Sequence, residues 1–337
     1  FAGERSPLGM FSDEFKGLKS GVEQDTAIAR VALGSSIGAA TVALAAEGLV
    51  TGGGPTDSRE RAVLYASGWQ PYSVRVGDMY YSYSRFDPFA LTMGISADMY
   101  DIGSKMTELE ADKLAGMITA SISKNLVNKT WLKGPAELIE AVADPDRYGD
   151  RYVLNLMGTV VPTGLSQMAR IEDPYMRDAQ TLVDKIKSRT PGLSQDLLPK
   201  RDIWGEPIKL EGGLGPDVLS PIYAKRISDD PVAQELIRLK IWPAAVEKNI
   251  RGVELTPAQH DTYAQYAGRF MRLNLETLVN TPGWTEQPEF ARREVITKTV
   301  TRSRQTATSL MLMENPDLIE KAVQGRVEKI TGTKAGK

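Results

Sequence analysis

The sequence contains no cysteine and a single histidine, His260. Without thiols there is no disulfide framework, no thiolate metal site and no cysteine nucleophile. One imidazole rules out multi-histidine metal centres, and a serine–histidine relay would have to depend on His260 alone. Excess charge of either sign is also missing. The 41 Lys/Arg and 43 Asp/Glu leave a formal charge of −2, so the chain as a whole has no electrostatic footprint for nucleic acid, and any such contact must be local. No basic segment leads into a cleavable apolar core at the beginning, so no signal peptide is visible. Because the chain opens on Phe1 rather than methionine, it is expected to be a fragment or processed product of something longer.

What is present points to helices. With 337 residues the chain is long enough to bury a core. Asp87-Pro88, Asp173-Pro174, Asp230-Pro231, Thr256-Pro257 and Asn315-Pro316 each set a capping side chain before a proline suited to the first helical turn. Thr107-Glu108-Leu109-Glu110 reads as a capping box, followed by an amphipathic helix over about 108–130. Tyr152–Arg170 is a further helical run, bent at Pro162 and Gly164. The final third predicts helices over Pro257–Asn280, about Pro288–Met313, and Pro316–Lys329. In the second of these, Ile296, Val300, Ala307, Leu310 and Met311 share one face and Lys298 and Arg302 take the other.

One segment has period two. Tyr72–Val76 and Met79–Tyr83 flank Gly77-Asp78, which predicts a hairpin with Val76 opposite Met79, Val74 opposite Tyr81 and Tyr72 opposite Tyr83. That face is expected to pack on helices, leaving Ser73, Arg75, Tyr80 and Ser82 on the other. The fold class is therefore mostly α, a multi-helix assembly with one small β-hairpin (about 72–83) and a long irregular connection (about 188–230). The expected blocks are an N-terminal helical arm (1–56), a hairpin plus helical domain (57–187), the extended connection (188–230), a C-terminal helical domain (231–330) and a tail (331–337).

The candidate functional features are few. Val31–Ala46 holds no charge and mixes Gly34, Gly38 and many alanines with Val, Ile and Leu. At about 1.5 Å per residue it spans roughly 24 Å, short of the roughly 30 Å hydrocarbon core. The four-residue spacing of Gly34 and Gly38 suits close helix–helix approach. A buried core helix and a membrane or assembly helix, bearing Val31, Gly34, Gly38, Val42 and Ala46, are both open readings. Gly52-Gly53-Gly54-Pro55 lacks the Lys-Ser/Thr of a phosphate loop and is expected to be a helix terminator and hinge. His260 is expected to be an exposed helix histidine. The carboxylate pairs Asp229/Asp230 and Asp144/Asp146 are explained by caps and turns. Trp69, Trp204, Trp242 and Trp284 sit by Gly/Pro turns, which suits anchors packing loops onto helices or anchors to a partner, with core packing the default. From Glu289 to Lys337 there are ten Lys/Arg against six Asp/Glu, which makes Lys298, Arg302 and Arg304 candidate contacts to DNA or a partner. No catalytic, cofactor-binding or metal-binding residue is assigned.

Gly68-Trp69-Gln70-Pro71-Tyr72-Ser73-Val74-Arg75-Val76-Gly77-Asp78, continuing through Tyr81-Ser82-Tyr83-Ser84-Arg85-Phe86-Asp87-Pro88, resembles a passage in very large proteins of tailed phages and prophages. Those proteins carry a C-terminal "large polyvalent protein associated" domain. The resemblance continues in order through Thr51–Pro55, Arg170–Arg177, Ser188–Asp202, Ser220-Pro221 and Gly252–Thr256, and covers most of residues 29–315. It implies a non-enzymatic piece of an internal virion or ejection protein of a short-tailed phage. Such a protein is packed in the capsid near the portal, leaves with or ahead of the genome and helps build a conduit across the host envelope. The implied partners are other ejection proteins, the portal, further copies of itself, the host inner membrane and phage DNA. Family members carry enzymatic motifs elsewhere, and none of those motifs occurs here.

Overall fold

The computed structural model describes residues 22–86, 89–104, 116, 172–209 and 222–331. The expected helix at 108–130 apart from residue 116, the expected helix at Tyr152–Arg170, the Asp87-Pro88 cap, the Asp144/Asp146 pair and the 332–337 part of the tail lie outside the described residues. Among those described, the chain is mostly α with a few short antiparallel strands. It divides into two compact units built from interleaved segments, one from 1–56, 68–162 and 211–227, the other from 57–67, 163–210 and 228–337.

In the first unit, helix α1 (Val22–Ala46) ends where Gly48 takes φ +71. The Gly48 amide donates to Ala45 O and the Leu49 amide to Leu44 O, the paired bonds of a Schellman stop. The terminator is thus Gly48 and not the triglycine run. The hairpin forms between β1 (Ser73–Val76) and β2 (Met79–Ser82) in the expected register, with Gly77 alone at positive φ in the turn. A third strand, β3 (Ala224–Arg226), adds to β2, so the hairpin is part of a three-stranded sheet. The burial of its faces departs from expectation. Tyr72, Val74 and Tyr83 do pack with Ala90, Met93, Ala97 and Tyr100 of helix α3 (Phe89–Gly103) and with Ala45, but Val76 at the turn is exposed. Ser73, Tyr80 and Ser82, expected on the open face, are buried. The cause is chain from outside the hairpin: residues 49–51 run along β1, with Thr51 N donating to Ser73 O and Arg75 N to Leu49 O, while β3 flanks β2.

The second unit gathers helix α2 (Ser58–Ala66), α4 (Leu182–Lys187), α5 (Pro231–Arg238), α6 (Pro257–Val279), α7 (Glu289–Glu314) and α8 (Pro316–Thr331). The proline-based starts of α5, α6 and α8 fall where the sequence placed them. Asp230 Oδ1 caps Val232 N at 2.9 Å and Ala233 N at 3.3 Å. Thr256 and Gln259 cap each other reciprocally. Asp173-Pro174 is a correction: no helix starts there. Asp173 instead takes a two-pronged ion pair from Arg177 at 2.8 Å, and the chain continues extended, bridging Tyr175 to Lys209 and Arg177 to Pro199. Those bridges, with Arg201 to Pro207 and a short 3-10 turn at Ser194–Asp196, give the 188–209 stretch order without a sustained period. A two-residue ladder, β4 (Asn249–Ile250) with β5 (Val253–Glu254), turns through Arg251 and Gly252, both at positive φ. Two apolar clusters hold the unit. One joins Val63, Trp204, Leu236, Leu239, Leu275, Trp284 and Ile296, and the other joins Ile250, Leu255, Tyr263, Ala307, Met311 and Leu318. Trp204 and Trp284 are therefore core anchors, as expected of tryptophans beside tight turns.

Candidate functional site

Helix α1 has two apolar faces with different fates. Val31, Gly34, Thr41 and Ala45 are buried, on the stripe that packs against α3. The small residues do what their spacing predicts, because a Cβ on Gly38 would stand 3.1 Å from Ser96 Oγ. The close approach is made to a helix of the same unit. The remaining circumference carries Ile28, Leu33, Val42 and Leu44, all exposed, with Ala32, Ala39, Ala40, Ala43 and Ala46 between them. Of the five residues singled out, Val31, Gly34 and Gly38 thus belong to the packed side, and Val42 and Ala46 to the open side.

That open face is chemically compatible with hydrocarbon. No Asp, Glu, Lys or Arg occurs from Val31 to Ala46. Hydroxyls in the segment are satisfied within the helix: Ser35 Oγ donates to Val31 O at 2.7 Å, Ser36 Oγ to Ala32 O at 2.8 Å and Thr41 Oγ1 to Ile37 O at 2.8 Å. The stretch long and apolar enough to cross a membrane runs over Ile28–Ala46, three residues longer than the charge-free run because it takes in the exposed Arg30, and only 17% of it is buried. At about 1.5 Å per residue its 19 residues reach about 28 Å, close to the hydrocarbon thickness.

The triglycine run after α1 is a clasp and not a hinge. Residues 51–54 are buried. Gly53 N donates to Oδ1 of the buried Asp98 on α3 at 2.9 Å, Tyr72 N donates to Gly52 O at 2.9 Å, and Tyr83 Oη donates to Thr51 O at 2.7 Å. Gly54 lies under the Trp69 ring, where a Cβ would meet Cη2 at 2.4 Å. Burial pushes the Tyr83 phenol up, reinforced by the nearby Asp98, so this hydroxyl stays a donor. The clasp ties the C-terminal end of α1 to the sheet and α3.

In the second unit, His260 is not on an open helix face as expected. It is half-buried, with Nε2 3.4 Å from Val246 O, and lines a cleft of about 270 Å³. Beside it Arg201 makes a two-pronged pair with Asp261, 2.6 and 2.9 Å, and donates to Gly205 O at 2.8 Å. Asp202 Oδ1 accepts from Trp204 N and Glu206 N, both at 2.9 Å. The lining holds no Ser, Thr, Cys or Tyr to serve as a nucleophile beside His260. No group of three or more His, Cys, Asp or Glu side chains suited to a metal ion occurs among the described residues.

Asp202 carries a testable electrostatic cost. Burial raises its pKa above the ordinary 3.8, against the opposing pull of its two backbone donors. A raised folded-state pKa gives stability that is fully present below the unfolded value and is lost as pH rises through the folded one. Asp202→Asn keeps an acceptor for both amides and removes the charge. Its melting midpoint is expected to exceed the parent's at pH 7, with the difference vanishing near pH 3. A gap that persists or reverses at low pH would contradict this.

The three basic candidates on α7 do not form one patch. Lys298 and Arg302 are exposed, but Lys298 Nζ is 2.5 Å from Glu294 Oε1, and that contact holds the Glu294 carboxyl below its ordinary range. Arg304 is half-buried, lines the cleft and donates to Ala244 O. Of the two first-named carboxylates, Asp230 serves as the α5 cap and lies 3.8 Å from Arg272. Comparison with protein-family models, with curated proteins and with solved structures finds no match for this chain.

Proposed function

We propose that this chain is a non-enzymatic segment of an internal virion or ejection protein of a tailed phage. It assembles with itself or with other ejection proteins near the portal and helps deliver the genome across the host envelope. The open face of α1 is where it meets the host inner membrane. The ordered set of sequence phrases supports the phage reading, and one structural observation carries the membrane part: a charge-free helical face, with its hydroxyls internally bonded, left uncovered while the opposite face is held on α3. Ile28, Leu33, Val42 and Leu44 are 39–58% exposed, so burying what remains of them would contribute about half of the roughly 1.5–3 kcal/mol that full burial of such a side chain gives, a sum that favours seating the helix at an interface. A soluble capsid-interior scaffold that grips DNA through Lys298, Arg302 and Arg304 has less support, since one cation is paired and another is turned to a carbonyl.

Liposome flotation tests the membrane part. Ala39 and Ala43 are both exposed on the open face, so Ala39→Asp with Ala43→Arg changes the surface without disturbing the contact with α3. The intact chain is expected to float with vesicles and the double variant to remain at the bottom. Equal flotation, or none for either, overturns it. A mass-spectrometric inventory of purified particles tests the virion part by the presence or absence of this chain.

A further inference from the structure

The cleft of the second unit has a charge balance that its own residues do not close. Its walls are the 198–203 segment, the 244–248 segment and the first half of α6, with Arg304 reaching in from α7. Three carboxylates line it. Asp261 is engaged by Arg201, Asp202 by two backbone amides, and Asp178 at the exposed rim accepts from Gln180 Nε2 at 2.8 Å. Four permanent cations line it too. Arg201 is spent on Asp261, Arg304 gives a hydrogen bond to Ala244 O but meets no carboxylate, and Lys200 and Lys248 make no ion pair with any described residue. His260, with Nε2 directed to Val246 O, adds a polar group to the same wall. Between these charges the surface is apolar, with Ala244, Ala245, Ala264, Ala267 and Gly268 forming a small-residue stretch beside Leu198, Ile203 and Met271.

We propose that this cleft binds a short acidic peptide segment of a partner protein, its main chain lying over the small side chains and its carboxylates meeting Lys200, Lys248 and Arg304. The lining favours a peptide over nucleic acid because its one ring is the half-buried His260 imidazole, held with Nε2 toward Val246 O, with no Phe, Tyr or Trp to add a stacking platform, and small side chains admit a main chain closely. Opposed charges at a rim of this kind govern attraction and register more than raw affinity, so binding is salt-dependent. The inference stands apart from the membrane reading of α1, which concerns the other unit and other residues.

The probe is a fluorescein-labelled peptide of alternating alanine and glutamate, six residues long, read by anisotropy on the full chain at low salt. Saturable binding is expected, weakened at least tenfold by Lys200→Glu with Lys248→Glu. Reversal of Lys298 and Arg302, which carry the same charge on α7 outside the cleft, is expected to leave it within twofold. Ala245→Trp fills the cleft without changing charge and is expected to weaken binding to a similar degree as the lysine reversal. Unchanged denaturation midpoints show that each variant is folded. Absence of saturable binding, equal loss on reversing Lys298 and Arg302, unaltered binding by Ala245→Trp, or equal affinity for an oligothymidylate of the same charge would each overturn the proposal.

Discussion

Replacing Glu235 with alanine is expected to destabilise the second unit by about 3–5 kcal/mol, the cost of removing one partner from a buried ion pair. Glu235 and Arg292 are almost fully buried, with side chains 7% and 6% exposed and Nη1 3.0 Å from Oε1. The same carboxylate oxygen accepts from the Trp284 indole at 3.1 Å, and Arg238 closes a second pair from the solvent side at 2.7 Å. Alanine would leave a buried guanidinium whose Nε already lacks a partner among the described residues, together with an orphaned indole N–H. The cost therefore lies in what is stranded and not in the pair's net worth. Glu235→Met with Arg292→Met, which removes both charges at similar volume, is expected to recover most of the loss. Denaturant unfolding followed by tryptophan fluorescence measures both. A cost below about 1 kcal/mol for Glu235→Ala, or a double variant no better than the single, would mean that the network is not what joins α5 to α7.

None of that network was legible beforehand, and the reason is separation along the chain. Glu235, Trp284 and Arg292 are brought together by helix packing across 49 and 57 residues, and Arg201 meets Asp261 across 60. Local signals did better. The register of the hairpin follows from period-two alternation and Gly77-Asp78, and the starts of α5 and α6 follow from a capping side chain ahead of proline. Those signals say what a segment can do and not what the fold asks of it. Asp173-Pro174 has the same form as Asp230-Pro231, yet its aspartate is committed to Arg177 and the backbone stays extended. Alternation likewise marks two faces of β1 and β2 but cannot see β3 or residues 49–51 arriving from elsewhere, so Ser73 and Ser82 are buried against expectation. For α1 the small-residue spacing correctly signals a close neighbour. That the neighbour is α3, and that the opposite face stays bare, required the tertiary structure.

The tightest approach in the second unit sets the other large effect. Gly268, in the middle of α6, faces the main chain of the 202–206 turn so closely that a Cβ would lie 2.2 Å from Gly205 N and Trp204 C and 2.4 Å from Trp204 O. All three are backbone atoms, so no side-chain rotation relieves the clash, and the turn or the helix must move. The turn is pinned on every side: Arg201 by Asp261, Trp204 N and Glu206 N by Asp202, and the Trp204 ring by its core cluster. Gly268→Ala is therefore expected to cost about 3 kcal/mol, the upper end for overpacking, and to shift tryptophan emission to the red as Trp204 leaves the cluster. Gly252→Ala separates this steric cost from that of backbone conformation. Gly252 sits at φ +85 with open space around its Cβ position, so only the left-handed penalty of about 1–2 kcal/mol applies and emission should not move. A Gly268 variant no costlier than the Gly252 variant, or one with unshifted emission, would show that the turn can lift from α6 without disturbing the core. Movement of the turn would distort the cleft too, because Ala264, Ala267 and Gly268 form its floor beside the Arg201–Asp261 pair. Peptide binding by Gly268→Ala is thus expected to fall along with stability, whereas Gly252→Ala leaves it intact.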